Sequence, residues 1–132
     1  MIKWGIIGLG NMGQKFASAI AETSNSDIVG VASLDNNKIK NFKNKYKCDN
    51  IKIYNNYDEI IKDKNINAIY IATLNNTHFE LIKKCSENNK NILCEKPFTL
   101  NYDEAKIVSN YISKHNVNFY EAFAYRSHPQ TK

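Results

Sequence analysis

The sequence predicts one α/β domain, a doubly wound and mainly parallel sheet of about six strands with helices on both faces. Three observations carry that prediction. Short apolar runs with almost no polar alternation recur along the chain, as strands buried on both faces do. Stretches with apolar residues at helical spacing separate them. The first run passes directly into Gly8-Leu-Gly10-Asn-Met-Gly13, a G-x-G-x-x-G turn, and a helical pattern starts at once. Parallel neighbours need crossover connections, and helices supply them.

Residues 2–7 read as a buried strand. Gly8 permits the tight turn out of it, Gly10 leaves the main chain bare, and Gly13 lets the helix pack closely on the sheet. Free N–H groups from Asn11 to Gly13 would then face an anion at the helix N-terminus. A plain glycine turn is the alternative, but the strand before and the helix after favour a dinucleotide-binding turn. Met12, Phe16 and Ile20 recur at helical spacing, with Gly13 and Ala17 on a neighbouring face. Residues 23–27 are a polar turn, 28–32 a second strand and 33–37 a loop. Ile39, Phe42 and Tyr46 give the second helix its inner face.

A short third strand is expected at 51–54, followed by a short helix that buries Ile60 and Ile61, with Asp58 and Glu59 near its positive end. Residues 68–72 are the fourth strand. Thr77 and Glu80 form a T-x-x-E capping box, so the next helix is expected to start there and to bury Leu81, Ile82 and Cys85. Residues 91–94 are the fifth strand. Asn101 and Glu104 open a helix with Ala105, Val108 and Ile112 inward, and 117–120 is the sixth strand. Residues 121–132 have no period.

The 132 residues suffice for one domain with a core, and 42% hydrophobic with 23% charged residues is the globular range. No apolar run is long enough to span a bilayer, and no signal peptide is visible, so no membrane partner is expected. Cys48, Cys85 and Cys94 show no metal spacing, and their odd number argues against a disulfide framework, which points to a cytoplasmic protein. The net charge of +5 comes from lysines mixed with acids and asparagines. That pattern reads as a solvated surface rather than a nucleic-acid patch, so no nucleic acid is expected.

In such a sheet ligands bind beyond the carboxyl ends of the strands. At the second strand end, an acid about 20 residues after the glycines would bond a ribose 2′-hydroxyl and favour NAD. Ser33 stands at that distance and leaves room for a 2′-phosphate, whereas an inward Asp35 would repel one. Asp35 reads equally as a helix or turn cap, and the balance tips slightly to NADP. At the fourth end, Thr73 and Asn75 offer hydrogen bonds to a ribose or phosphate. His78 has two readings there, one reaching the nicotinamide and one solvated. At the fifth end, Glu95-Lys96-Pro97 puts a charged pair straight after a buried strand. Lys96 could hydrogen-bond a substrate hydroxyl or carbonyl, or the pair could be an exposed ion pair. Pro97 would fix the turn, with a cis bond available to it. Cys94 reads as a small buried strand residue.

Gly-Ile-Ile-Gly-Leu-Gly-Asn-Met-Gly, Val-Ala-Ser, Ala-Thr-Leu-Asn-Asn-Thr-His, Leu-Cys-Glu-Lys-Pro-Phe and Glu-Ala-Phe-Ala-Tyr-Arg-Ser-His-Pro-Gln follow one another at plausible spacings. Together they resemble the N-terminal domain of the Gfo/Idh/MocA oxidoreductases, and Glu-Lys-Pro is the specific part. The resemblance implies a Rossmann domain over residues 1–120 that binds NAD or NADP. It implies hydride transfer at a hydroxyl or carbonyl carbon of a sugar or polyol substrate, or of a related diol. It places Gly8, Gly10, Asn11, Met12 and Gly13 at the pyrophosphate, and Ser33, Thr73, Asn75 and His78 along the cofactor. Glu95 falls near the nicotinamide ribose, and Lys96 falls at the substrate as the catalytic residue and also against the cofactor. Residues 121–132 resemble the start of the connection to a C-terminal substrate domain, with Arg126 a cofactor or interface contact. Leu34 stands where NADP-preferring members often carry Arg, and Leu74 stands where the family often has Pro. Relatives of this pattern continue into a second domain that completes the pocket and the homo-oligomer. The chain alone is therefore expected to bind cofactor and to catalyse little. The rival expectation is a non-catalytic NAD(P)-binding or interaction module.

Overall fold

The computed structural model describes residues 1–46, 49–127 and 129–131; Cys48 and His128 lie outside them. Strands and helices alternate as β1 (Ile2–Ile7), α1 (Asn11–Ala21), β2 (Ser26–Ala32), α2 (Asn36–Tyr46), β3 (Lys52–Tyr54), α3 (Tyr57–Lys62), β4 (Ala68–Ile71), α4 (Asn75–Glu87), β5 (Asn91–Cys94), α5 (Tyr102–His115) and β6 (Phe119–Glu121). A 3-10 turn, Ala124–Ser127, follows. The six strands form one sheet in the order β3-β2-β1-β4-β5-β6, and every pairing is parallel. This is the doubly wound fold expected from the sequence.

The strand order reverses between β1 and β4, and the register sets the carboxyl ends of the strands in a row. Ile7 lies beside Ala32 and Ile71, Ile71 beside Cys94, and Cys94 beside Glu121. The ladder runs one residue further at each joint. Gly8 N–H donates to Ala32 O at 2.9 Å, Ala72 N–H to Ile7 O at 2.8 Å, Glu95 N–H to Ile71 O at 2.9 Å and Ala122 N–H to Cys94 O at 2.8 Å. Gly8, Ala72, Glu95 and Ala122 are thereby held side by side along one edge.

Alternation along each strand sends side chains to two cores. Ile7, Ile69, Ile71, Ile92 and Cys94 pack under α3, α4 and α5 with Ile60, Ile82, Cys85 and Val108. Ile6, Val31 and Tyr70 pack under α1 and α2 with Phe16, Ala17 and Phe42. Tyr120 of β6 points to this second face and is 70% exposed. At the opposite edge, Lys90 is buried, and its Nζ donates to Asp63 O at 2.5 Å and Ile66 O at 2.7 Å. It closes the carbonyls of the α3–β4 turn. Among the described residues no helix is long and apolar enough to cross a membrane.

Several boundaries differ from the sequence expectation, each for a local reason. Strand β2 begins at Ser26 rather than at 28, because Ile2 at the start of β1 pairs with Ser26. Strand β6 covers 119–121, not 117–120; Asn116 adopts a left-handed conformation with φ 50°, and Val117 N–H returns to Ile112 O at 3.3 Å, closing α5. Helix α4 begins at Asn75, so the Thr77–Glu80 capping box does not form. Thr77 sits inside the first turn and gives its hydroxyl proton to Leu74 O at 2.7 Å, while Glu80 pairs with Lys83 at 3.3 Å. The Asn101–Glu104 cap does form, with Glu104 N–H donating to Asn101 Oδ1 at 2.9 Å and Leu100 N–H to Glu104 Oε2 at 3.0 Å. At α3, Glu59 N–H likewise donates to Asn56 Oδ1 at 2.9 Å, and Glu59 Oε1 accepts from the Asn56 side-chain amide at 2.9 Å. Each such cap is worth about 1 kcal/mol.

Candidate functional site

The glycine turn joins β1 to α1, and its three glycines answer different demands. Gly8 has φ +97°, and a Cβ there would lie 2.5 Å from Ala72 O. At Gly13 a Cβ would lie 2.1 Å from Gly8 O. Both are required by the fold. Gly10 has an ordinary backbone, φ −73° and ψ −168°, and beyond its neighbours in the chain no atom of the described residues lies within 4 Å of where its Cβ would be. Nothing inside the protein asks for glycine at that point. Helix α1 also starts without a side-chain cap and without an acidic residue in its first turn. Main-chain N–H groups and the positive end of the helix are left for an anion, with open space over Gly10. These features fit the pyrophosphate of a dinucleotide.

A cleft of about 690 Å³ opens beside this turn, at the point where the strand order reverses. Gly10, Asn11 and Met12 line it from the first strand end, Thr73 and Asn75 from the fourth, and Glu95 and Lys96 from the fifth. Residues 122–125 close one side. Seven of the predicted site residues thus share one cavity, and Gly8 and Gly13 close the turn that carries three of them.

Three predicted residues lie elsewhere. Ser33 is buried at the end of β2, and its Oγ accepts Asp35 N–H at 3.2 Å. Asp35 is the cap of α2, since Oδ1 accepts Asn37 N–H at 2.9 Å and Lys38 N–H at 3.3 Å. Arg126 lines an adjoining groove of about 740 Å³ with Lys15, Phe16 and Tyr70, and its guanidinium carbon lies 5.9 Å from the centre of the Phe123 ring. His78 is 0% exposed, so the solvated reading falls. Its Nδ1 lies 2.8 Å from Pro97 O and its Nε2 3.2 Å from Thr73 O. The ring spans the interior between two strand ends.

The end of β5 is heavily braced. Tyr70 donates its hydroxyl to Glu95 Oε1 at 2.5 Å. Burial and the neighbouring carboxylate both push the Tyr70 phenol well above its usual range, so it remains a proton donor. Its ring packs on Phe16 with centroids 4.2 Å apart. The Lys96–Pro97 bond is cis, as the sequence allowed. Phe98 N–H donates to Glu121 Oε1 at 3.0 Å. Thr73 and Thr77 hydroxyls meet at 2.6 Å; with its proton spent on Leu74 O, Thr77 accepts from Thr73. Cys94 is buried, and burial pushes its thiol up, which leaves it a packing residue. Sequence reasoning missed Tyr70 and Glu121. The signal for Tyr70 was a lone hydroxyl in the aliphatic run of β4; Glu121 carried none.

Residues 2–123 match the GFO_IDH_MocA family model, described as an oxidoreductase family with an NAD-binding Rossmann fold. The chain is 34% identical over 129 residues to trans-1,2-dihydrobenzene-1,2-diol dehydrogenase of Xenopus tropicalis, across 96% of this chain and 38% of that protein. It is 27% identical over 119 residues to myo-inositol 2-dehydrogenase of Thermotoga maritima, across 90% of this chain and 35% of that one. The structure of scyllo-inositol dehydrogenase from Lactobacillus casei with bound NAD(H) and scyllo-inositol superposes with a TM-score of 0.89. That match is 23% identical and covers 98% of this chain and 38% of the other, and it speaks to the fold. The chain thus spans less than two fifths of the length of these relatives.

Proposed function

Because this chain belongs to the Gfo/Idh/MocA oxidoreductase family, with its NAD-binding Rossmann fold, we propose that it is the dinucleotide-binding unit of a hydride-transferring enzyme. The substrate carbon in this reading bears a hydroxyl or carbonyl and belongs to a sugar, polyol or related diol. The observation that carries the proposal is one cleft, at the reversal of strand order, shared by the open turn at Gly10 and by Thr73, Asn75, Glu95 and Lys96.

A bound nicotinamide dinucleotide would supply the hydride acceptor or donor. The chain's own residues divide the remaining work. Main-chain N–H groups from Asn11 to Gly13 hold the pyrophosphate, with Gly8 turning the chain beneath it and Gly10 keeping its path clear. Thr73 and Asn75 hydrogen-bond along the cofactor, and Glu95, steadied by Tyr70, takes the nicotinamide ribose. Lys96 hydrogen-bonds the reacting hydroxyl and holds or moves its proton as the carbon is oxidised. His78 reaches the cleft only through its neighbours. Arg126 is assigned to a contact in the adjoining groove.

Of the two cofactors, the reading favours NADP. Asp35 turns its carboxylate oxygen to the first N–H groups of α2, and Ser33 leaves space at the second strand end. Leu34 supplies no cation there, which keeps the preference small. Residues 1–120 form the binding domain in this reading, and 121–132 begin the connection to a substrate domain that completes the pocket. Two buried free thiols, Cys85 and Cys94, suit a reducing cytoplasm.

The test is turnover by a protein that carries this domain together with its substrate domain. Lys96→Ala should lower kcat by about a hundredfold or more while dinucleotide affinity changes little. Unchanged turnover would remove the role given to Lys96.

A further inference from the structure

Lys96 is carried by a turn that is gripped at one peptide group. The carbonyl of Pro97 and the N–H of Phe98 belong to the same peptide unit, and both are used. His78 Nδ1 meets the carbonyl oxygen at 2.8 Å, and Glu121 Oε1 accepts the N–H at 3.0 Å. The two partners come from different elements, α4 and β6. Both ring nitrogens face carbonyl oxygens, which only accept, and the shorter contact, to Pro97 O, is assigned the ring N–H. The ring's other nitrogen lies 3.2 Å from the carbonyl of Thr73, a residue that lines the cleft. The imidazole therefore sits between the end of β4 and the end of β5, with its N–H given to the latter. It has no exposed surface with which to touch a ligand itself.

We propose that His78 and Glu121 are positioning residues that fix Lys96 and Glu95 against Thr73 across the cleft. Neither touches the ligand; both hold the Pro97–Phe98 peptide plane. A peptide plane held at both polar atoms cannot rotate without breaking a hydrogen bond, and Lys96 is attached directly to Pro97. With Tyr70 on Glu95 Oε1, both charged residues of the pair are then anchored from outside the cleft. The histidine belongs to the core of the domain, yet its effect is felt at the nicotinamide end of the site.

The inference rests on the dinucleotide reading above, and the experiment separates the two. The folded chain is titrated with whichever of NADH and NADPH binds more tightly, and with the same molecule cut back to its ADP portion, which lacks the nicotinamide ribose. The second probe engages the glycine turn without reaching Glu95 or Lys96. His78→Gln should weaken the whole dinucleotide by about tenfold and leave the truncated probe unchanged. Glu121→Val, at a half-buried strand position, should do the same and carries the test if His78→Gln does not fold. Equal weakening of both probes would mean that the residues act only on general stability, and no weakening of either would mean that the grip is idle; each result overturns the inference. A folded wild-type chain that binds neither probe would overturn the dinucleotide reading, and this inference with it.

Discussion

At residue scale the glycine turn separates what the fold needs from what a ligand needs. A methyl group at Gly13 would press on the main-chain oxygen of Gly8 at 2.1 Å, and neither partner is a flexible side chain. Gly13→Ala should therefore cost about 2 kcal/mol or more and lower Tm visibly. A methyl at Gly10 meets, beyond its neighbours in the chain, no atom of the described residues within 4 Å. Gly10→Ala should melt as the wild type does and yet lose dinucleotide affinity, read by thermal denaturation beside calorimetry. If Gly10→Ala kept full affinity, the open space would have no ligand to receive. The spacing of the three glycines was legible in the sequence. Their division of labour was not, because it depends on atoms of Ala72 and Gly8 that only the closed turn brings near. His78 shows the same limit, since its partners are main-chain oxygens, one of them 19 residues away.

At element scale, periodicity located all six strands and all five helices, and it missed their ends where pairing or capping decided them. Helix α4 starts at Asn75 without a side-chain cap, so a T-x-x-E spacing one turn later had nothing to cap. The same spacing rule held at Asn101 and was overlooked at Asn56, where an Asn and a Glu also cap. Another element-level tie joins β3 to the end of α3. Tyr54 donates its hydroxyl to Asp63, Asn65 N–H donates to the same carboxylate at 2.7 Å, and Lys52 lies 3.4 Å away. The Tyr54 hydroxyl first, then the Asn65 N–H, hold the Asp63 carboxyl below its ordinary value of 3.8. A carboxyl lowered in the folded state binds fewer protons there than in the unfolded chain. Its contribution to stability is present above 3.8 and is lost as pH falls through the lowered folded value. Wild type should then lose Tm below about pH 4 more steeply than Asp63→Asn does, so the two melting curves converge in acid. Parallel curves across that range would remove Asp63 from the acid limb.

At the scale of the whole molecule, the sheet is covered unevenly. Helices α3, α4 and α5 cover one face, and α1 with α2 cover the β1 side of the other. Over β5 and β6 that second face carries no helix among the described residues. Leu93 is half-buried there, and Tyr120 is exposed. Clefts of about 740 and 500 Å³ lie along it. Parallel sheets are ordinarily covered on both faces, and bare apolar surface drives association. The isolated chain should self-associate with rising concentration in light scattering, and Tyr120→Lys should shift it towards the monomer. A strictly monodisperse monomer at high concentration would count against this. The βα alternation made the architecture legible from sequence, whereas the bare half-face depends on where the crossovers place their helices.

In the proposed reading, the turn at Gly10 and the Glu95–Lys96 end of β5 form one dinucleotide site. Calorimetric titration of the folded chain with NADPH and, separately, NADH is the measurement to make. Saturable binding of at least one is expected, tighter for NADPH and lost in Gly10→Ala. A folded chain that gives no binding with either cofactor would contradict it.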